Sequence, residues 1–593
     1  MKKILVLSLL CFVSLSFTAP QDDALKNVED RERDISRDLK TQEDRARQDR
    51  IENSIFRNDE PSAEVDSTEN GAVFFLSELE ITDIDNLLTQ NEEFFLRTEY
   101  LNRSIGIREL NELINKANGI LVKKGFITSR VTANIEGIQA GKLSLEVISG
   151  KIDGISLNGN GFSDRAKMFL GKPVRKNNIL NIRDIDTLTD NFNRNSSNNF
   201  AVKIEPSKKE GYSRIAATNE VKGKTTVSLG YNNHGDEDGG KNRAKFGLSI
   251  NSPFGINDFF SFSIQTVKRK KADRSWKIAE AQLQPGQIAP SGPVPNYDPK
   301  IHGLLPPQRK TNLWSFSYSI PVRNWSLSLG ANKSTYEKSM YTYNTVYDLS
   351  GSSTSLTAGL SRIIYRNNKS KLVANIGVTR KNNRSYFEDV ELYDRNLSIG
   401  TMGLDYDFSF IGGIAGAGIS YSKGLRIFHA ERDEGKGGSQ AKSEAERTNF
   451  SLYWYKPVKN FTFRVTMEGQ YSKDVNYSTE KMTIGGMGSV PGYQSESISG
   501  DSGYSVVTEL SYTFRYDRQK LVPYITYGTG ETENRKDSSP YRRGRVKGGS
   551  IGIRYSGTYI DIDVAYARAF GHSSYLKPKN HEVYAGATLK YSF

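Results

Sequence analysis

From Val221 to the last residue, apolar and polar side chains change sides at almost every step, with little credible helix between the runs. A period of two places successive side chains on opposite faces of a strand. Val227, Leu229 and Tyr231 share one face, as do Ala244, Phe246, Leu248 and Ile250. In "WSLSLGA", Trp325, Leu327, Leu329 and Ala331 oppose Ser326 and Ser328. Phe461, Phe463, Val465 and Met467 oppose Thr462, Arg464, Thr466, Glu468 and Gln470, and Ile560, Ile562, Val564 and Tyr566 oppose Asp561 and Asp563.

A soluble sandwich would alternate in the same way, so connection lengths decide. The pattern predicts sixteen strands, starting near Val221, Lys241, Asp258, Lys310, Asn324, Ser353, Lys369, Leu397, Ile411, Arg447, Asn460, Tyr504, Leu521, Arg545, Thr558 and Glu582. The even junctions are short: "NSPFGIN", "PVRN", "RNNKS", "KPVKN", "YDRQK", "SGT". Several odd ones are long, among them the run from Lys271 to Gln308 and "HAERDEGKGGSQAKSEAERT". Tight turns on one rim and long loops on the other predict a transmembrane antiparallel β-barrel of about 16 strands. Closing the sheet satisfies its edge hydrogen bonds in hydrocarbon. The final run, "HEVYAGATLKYSF", sets Val583, Ala585, Ala587, Leu589, Tyr591 and Phe593 on one face. Its aromatic ending, Tyr591 and Phe593, resembles the assembly signal of bacterial outer-membrane proteins.

Residues 1–19 read as a secretory signal peptide: Met1-Lys2-Lys3 precedes the apolar run Ile4 to Phe17, too short to span a bilayer comfortably. Cys11 is the sole cysteine, and the "SLLC" around it lacks the small residues expected before a lipidated cysteine. Without it the exported chain has no disulfide. Residues 20–56 are dense in charge and free of Gly, and from Asp22 onward free of Pro; the run favours a solvent-washed helix, or one inside a wet cavity, ahead of a linker at 57–72. Two small α/β units are predicted next, over 73–150 and 151–220, each with one helix (Ile107 to Gly125; Ile182 to Asn193) and strands that offer edges to an extended partner. The barrel then occupies 221–593.

Lys and Arg outnumber Asp and Glu by 81 to 68, a mild excess without the concentrated basic helix or aromatic-basic module of a nucleic-acid binder. No phosphate loop, H-E-x-x-H zinc pattern or nucleophile elbow occurs, so no enzyme, metal or cofactor is expected.

The stretch "IGGMGSVPGYQSESISGDSGY", Ile484 to Tyr504, joins the eleventh and twelfth predicted strands and is rich in glycine and poor in charge. With it, the order signal, charged helix, two α/β modules and barrel resembles the two-partner secretion transporters of the Omp85 superfamily, the haemolysin- and haemagglutinin-exporting (TpsB-like) family. "YLNRSIGIRELNELINKANGILVKKGFITSRV" with "GKLSLEVISGKI" resembles their first polypeptide-transport-associated (POTRA) module, and Arg183, Asp184, Leu188, Asn193 and Arg194 fall on the "LNLRDLE…LNR" pattern of the second. The resemblance implies that loop 6, around 479–503, folds back into the lumen. Gly485, Gly486 and Gly488 would provide bends, and Val490-Pro491-Gly492-Tyr493 would stand at the family's V-R-G-(Y/F) tip. The family's arginine is Pro491 here, and its aspartate partner, in "F-x-D-x-G", is Gly528. The family's "P-x-Q-D" reads Asn134-Ile135-Glu136-Gly137. Asn134 and Glu136, with Arg183, Asp184, Asn193 and Arg194, are therefore the candidates for recognising a client. The resemblance further implies a large secreted (TpsA-like) exoprotein as partner, bound through its amino-terminal export domain and moved without nucleotide. It implies contact with the barrel-assembly machinery, outer-membrane lipids and lipopolysaccharide, and none with nucleic acid. An assembly factor or insertase of the same superfamily is the alternative.

Overall fold

The computed structural model describes residues 73–593 except 159–160, 172–174, 195–196, 236–239, 268–308, 343–344, 368, 388–389, 495 and 536–541. The expected leader, charged helix and linker lie outside the described residues.

Two α/β modules come first. In one, helices Gln90–Tyr100 (α1) and Ile107–Lys124 (α2) pack on a three-stranded sheet ordered Glu78–Thr82, Lys142–Ile148, Arg130–Asn134. Leu113, Ala117 and Leu121, four residues apart, meet Leu79, Leu143 and Leu145 in its core. Gly125 takes a left-handed conformation (φ 97°) that ends α2. The sequence reading missed α1, whose apolar stripe is only Leu96 and Tyr100 while Phe94 and Phe95 face out. In the second module, Phe162–Gly171 (α3) and Ile182–Asn193 (α4) cover a sheet ordered Lys151–Leu157, Tyr212–Val221, Asn198–Pro206. Leu188 and Phe192 of α4 are fully buried there, with Phe200 and Ala217.

Sixteen antiparallel strands then close on themselves. One of them is interrupted at Thr513, so that Ser502–Tyr512 and Phe514–Tyr516 both pair with Gln519–Glu533. The last strand, Glu582–Ser592, pairs with the first, Thr225–Asn232, from Gly586↔Asn232 to Ser592↔Thr226. Phe593 and Thr225 exchange backbone hydrogen bonds of 2.9 and 3.0 Å, so the last residue completes the ring. Val221, expected to open the barrel, instead ends a strand of the second module, and the wall starts at Thr225. Two strands expected near Ser353 and Leu397 begin earlier, as Thr345–Arg366 and Val390–Phe410, 22 and 21 residues long. Both strands are taller than a bilayer requires, and their ladders continue beyond the apolar band, where Tyr336 and Leu349 are buried against Phe387, Leu392 and Tyr393.

The two faces separate as the alternation predicts. Leu229, Tyr231, Trp325, Leu327, Leu329, Phe461, Ile562, Val564, Tyr566, Leu589, Tyr591 and Phe593 are exposed on the outer wall. Aromatic rings gather near the short-turn rim, where Trp454 meets Phe410 and Phe463 at 6.3 and 5.7 Å and Tyr591 meets Tyr559 at 6.3 Å. Inward carboxylates are paired. Glu509 lies 2.9 Å from Arg464 and is gripped by both terminal nitrogens of Arg554 at 2.8 and 2.7 Å.

The second module is hooked to three short turns. Ser163 of α3 donates to the Gly255 carbonyl (2.7 Å), and the Arg323 amide donates to Leu170 (2.5 Å). Asn191 of α4 donates to the carbonyls of Gly171 and Arg323, and Arg366 pairs with Asp190 at 2.6 Å.

Ile376, 60% exposed midway along Ser370–Phe387, checks the assignment of faces. Ile376→Lys should destabilise the bilayer-inserted barrel by about 2–4 kcal/mol, measured by reversible unfolding from lipid vesicles, because it sets a charge in hydrocarbon.

Candidate functional site

Loop 6 leaves Phe461–Ser472 and returns through Ser502–Tyr512, and between them it builds its own small structure inside the barrel. A one-turn helix, Ser478–Glu480, leads into a hairpin of Met482–Ile484 against Ile498–Gly500. Met482, Ile484, Val490, Tyr493 and Ile498 form an apolar core with Val546 of the wall and Leu576 of a neighbouring loop. An apolar loop core can stand in a polar bore because it brings its own partners and seals them from water.

The tip is held by close approach and by neutral and anionic acceptors. Gly492 has φ 88°, and a Cβ on it would lie 2.6 Å from the Ala569 nitrogen, so only glycine fits. Gly548 receives the tip: a Cβ there would sit 2.0 Å from the Pro491 carbonyl oxygen. Gly528 also lies under the tip, with a Cβ position 3.2 Å from Val490 Cα and 3.4 Å from Pro491 Cδ. The Tyr493 ring is fully buried, and its hydroxyl lies 2.6 Å from the Gly571 carbonyl and 2.9 Å from that of Lys547. The Gly492 amide donates to the Tyr584 hydroxyl (3.1 Å), which donates to Glu582 (2.6 Å). The Gln494 amide donates to both oxygens of the same carboxylate at 3.1 and 3.0 Å, and its side-chain amide donates to the His234 carbonyl. The tip thus bridges the last strand to the end of the first. Gly485 and Gly486 are buried in the loop, and Gly485 and the exposed Gly488 line an inner cavity of about 830 Å³ with Asn375, Lys381, Arg447 and Glu468.

The stem of the loop is fixed by charge. Glu480 pairs with Arg447 at 2.5 Å and with Lys381. Burial alone would raise its carboxyl, but the two cations outweigh burial and hold it at about 2. Farther out, Tyr477 receives a hydrogen bond from Lys436 (2.8 Å) and lies beneath Arg395 (3.8 Å to the ring centre). Lys436 also contacts Glu431 and Asp433 of the outer loop between Gly413–Gly424 and Glu446–Val458. Burial raises the Asp433 carboxyl, and it is outweighed by donation from the amides of Glu444 and Ser443 and from Lys436, so the group stays below the usual range.

The other sequence candidates lie apart from this site. Asn134 and Glu136 are exposed at the end of the edge strand Arg130–Asn134, where the Asn134 side chain accepts from the Glu136 amide (3.0 Å). Arg183 reaches Asp186 (3.1 Å) within α4, and Asp184 sits in the first turn of that helix. Asn193 ties α4 to the Phe200 backbone at 2.8 and 3.1 Å, and Arg194 donates to Ser326 on a barrel strand. Those four side chains stand on the docked helix rather than on an open groove. Tyr591 and Phe593 point outward at the rim, 6.0 Å apart. Among the described residues no three His, Cys, Asp or Glu side chains are gathered as a metal site needs.

Against this geometry, comparison with known proteins is direct. The model of the haemolysin secretion/activation proteins (ShlB/FhaC/HecB) matches residues 211–555, a ShlB-type POTRA domain matches 77–150, and a second POTRA domain matches 151–206. The chain belongs to this haemolysin secretion/activation family. It is 23% identical to the outer membrane transporter CdiB of Dickeya dadantii over 96% of each chain. It is 22% identical to the hemolysin transporter protein HpmB of Proteus mirabilis over 79% of this chain and 77% of that one. The solved structure of CdiB from Escherichia coli superposes with a TM-score of 0.80, at 20% identity, over 97% of this chain and all of that one. This haemolysin secretion/activation protein is therefore a TpsB-type outer-membrane transporter of the Omp85 superfamily, with its POTRA domains on the periplasmic side.

Sequence reading placed the glycine tip and Gly528 but missed Gly548, Glu582, Tyr584, Glu480 and Arg447. A doubled glycine inside a strand, Gly548-Gly549, was the available signal for close backbone approach.

Two outcomes check the site. With Val490→Cys as probe, adding Gly548→Ala should raise labelling by an impermeant outside maleimide at least tenfold, on the order of the 1–3 kcal/mol that overpacking costs. Glu480→Gln should destabilise the barrel at pH 7 by about 3 kcal/mol, since it leaves the buried Arg447 and the half-buried Lys381 without their carboxylate. A lowered carboxyl stabilises above its ordinary range and stops doing so as pH falls through its folded value. The difference between wild type and variant should therefore shrink from pH 4.5 toward about 2, followed by thermal unfolding in detergent.

Proposed function

We propose that this transporter recognises one large secreted protein in the periplasm and passes it, unfolded, through the barrel to the cell surface without nucleotide. The family match over the barrel carries the reading. The relatives named as hemolysin transporters supply the analogy for the cargo's class. Several features of the structure support it. The inner wall is polar, a cavity of about 830 Å³ remains beside loop 6, and the modules present exposed strand edges. Refolding of the cargo outside would bias movement outward, so no energy-coupling site is required.

In this reading Arg130–Asn134, with Asn134 and Glu136 at its end, is where an extended client adds as a further strand. Arg183, Asp184, Asn193 and Arg194 then act through the module's seating on the barrel rather than by touching the client. Residues 20–56 plug the resting bore and leave before transport. Tyr591 and Phe593 address the chain to the barrel-assembly machinery, and lipids with lipopolysaccharide surround the wall. An insertase role is the second reading; the names of the relatives favour transport.

Removing residues 73–150 should abolish surface appearance of the cognate partner, read by immunoblot of intact cells, while the barrel still reaches the membrane; undiminished export would end the client-receptor role. Removing residues 20–56 should raise single-channel conductance in planar bilayers, and an unaltered value would reject the plug.

A further inference from the structure

On the bilayer-facing wall, register sets Val465, Thr508, Tyr527, Gly549 and Arg568 in one row across five strands. The next row toward the short turns is Phe463, Leu510, Ile525, Ile551 and Tyr566, all large. Thr508 and Gly549 flank Tyr527 with little side chain, and the wall is hollowed there by a groove of about 450 Å³. That volume falls within the roughly 300–1,000 Å³ of small-molecule sites. A β-bulge opposite Lys547 and Gly548 throws Phe570 out of register, and its ring closes one side of the groove, 6.4 Å from Tyr527 and nearly parallel to it.

Charge marks one end. Arg568 lines the groove, and Lys547 stands one row farther out; both are exposed. Among the described residues neither side chain has a hydrogen-bond or ion-pair partner. Arg545 and Arg543, in the rows beyond, are already paired with Glu531 (3.1 Å) and Glu533 (3.6 Å). Arg568 lies eight residues beyond Ile560, roughly 20 Å up a wall whose apolar band is about 25 Å tall, which sets it near the outer-leaflet headgroups.

We propose that this groove binds one lipopolysaccharide molecule of the outer leaflet, with an acyl chain along Ile525, Ile551 and Phe570 and a phosphate on Arg568 and Lys547. A guanidinium facing lipid gains most from a phosphate, which it can hold through two parallel hydrogen bonds. An uncharged lipid would fill the groove and leave both cations bare, and a zwitterionic one would bring a single phosphate already offset by its own ammonium, so two adjacent cations favour a lipid with uncompensated phosphates. The assignment rests on the outer-membrane location and is independent of the transport reading.

The full chain, reconstituted in phosphatidylcholine nanodiscs doped with lipopolysaccharide, tests it by native mass spectrometry. The wild type should retain one lipopolysaccharide, and Arg568→Gln with Lys547→Gln should retain at least tenfold less at unchanged heat-modifiable mobility. Arg545→Gln should retain as much as wild type, and Ile551→Trp, which fills the groove and leaves both charges, should lose the lipid. Equal retention by wild type and the double variant would overturn the site, as would no retention by wild type. Displacement by phosphatidylglycerol or inorganic phosphate at comparable concentration would overturn the choice of lipid.

Discussion

Hydrocarbon offers a backbone amide no partner, and every element of this molecule follows from that. A sheet in lipid must have no free edge, so the strand that ends at Phe593 has to find the strand that begins at Thr225. Once the ring closes, its outer face must be apolar and its inner face is free to be polar. A ring of sixteen strands encloses more space than its wall side chains fill. Loop 6 occupies part of that space.

The way the loop is held is particular to this chain. The V-R-G-(Y/F) and F-x-D-x-G patterns would set an arginine and an aspartate where this chain has Pro491 and Gly528. A single charge left alone in the bore would be heavily penalised, so two uncharged residues are compatible where one member of such a pair would not be. The tip makes direct backbone contact instead, with the Pro491 carbonyl against Gly548 and Val490 against Gly528. Directional bonding passes to Tyr493, Tyr584 and Glu582, on the far side of the tip. The tip is thus held without an ion pair at these two positions, while the stem keeps its pairing at Glu480.

Much of the fold was legible because membrane insertion writes itself into period-two alternation and into the contrast between short and long junctions. Thirteen residues of "HEVYAGATLKYSF" sufficed to orient the last strand. What the pattern could not give were features without periodicity. Helix α1 buries two side chains, and its better signal was the capping box of Thr89 with Glu92, which the structure contains. The upper parts of Thr345–Arg366 and Val390–Phe410 were not read as strand because Ser350-Gly351-Ser352-Ser353 and Asp394-Arg395-Asn396 interrupt the period-two alternation. At the site, the glycine tip and Gly528 beneath it were visible, but the other receivers were not. Tyr584 and Glu582 sit in a strand whose outward face dominates its sequence signal, and only the fold shows what their inward face touches.

The seating of the second module has a mechanical consequence. Its described contacts with the barrel fall on the turns at Gly255, Arg323 and Arg366 and on Ser326, all within the first seven strands. A load drawn along the periplasmic arm therefore enters the cylinder off-centre, as a wrench on one arc of its rim, while the adjoining arc, from Gln519–Glu533 round to the end of the first strand, carries the docked tip of loop 6. Strain would reach that tip by the short way, through the first strand and the seam it forms with the last.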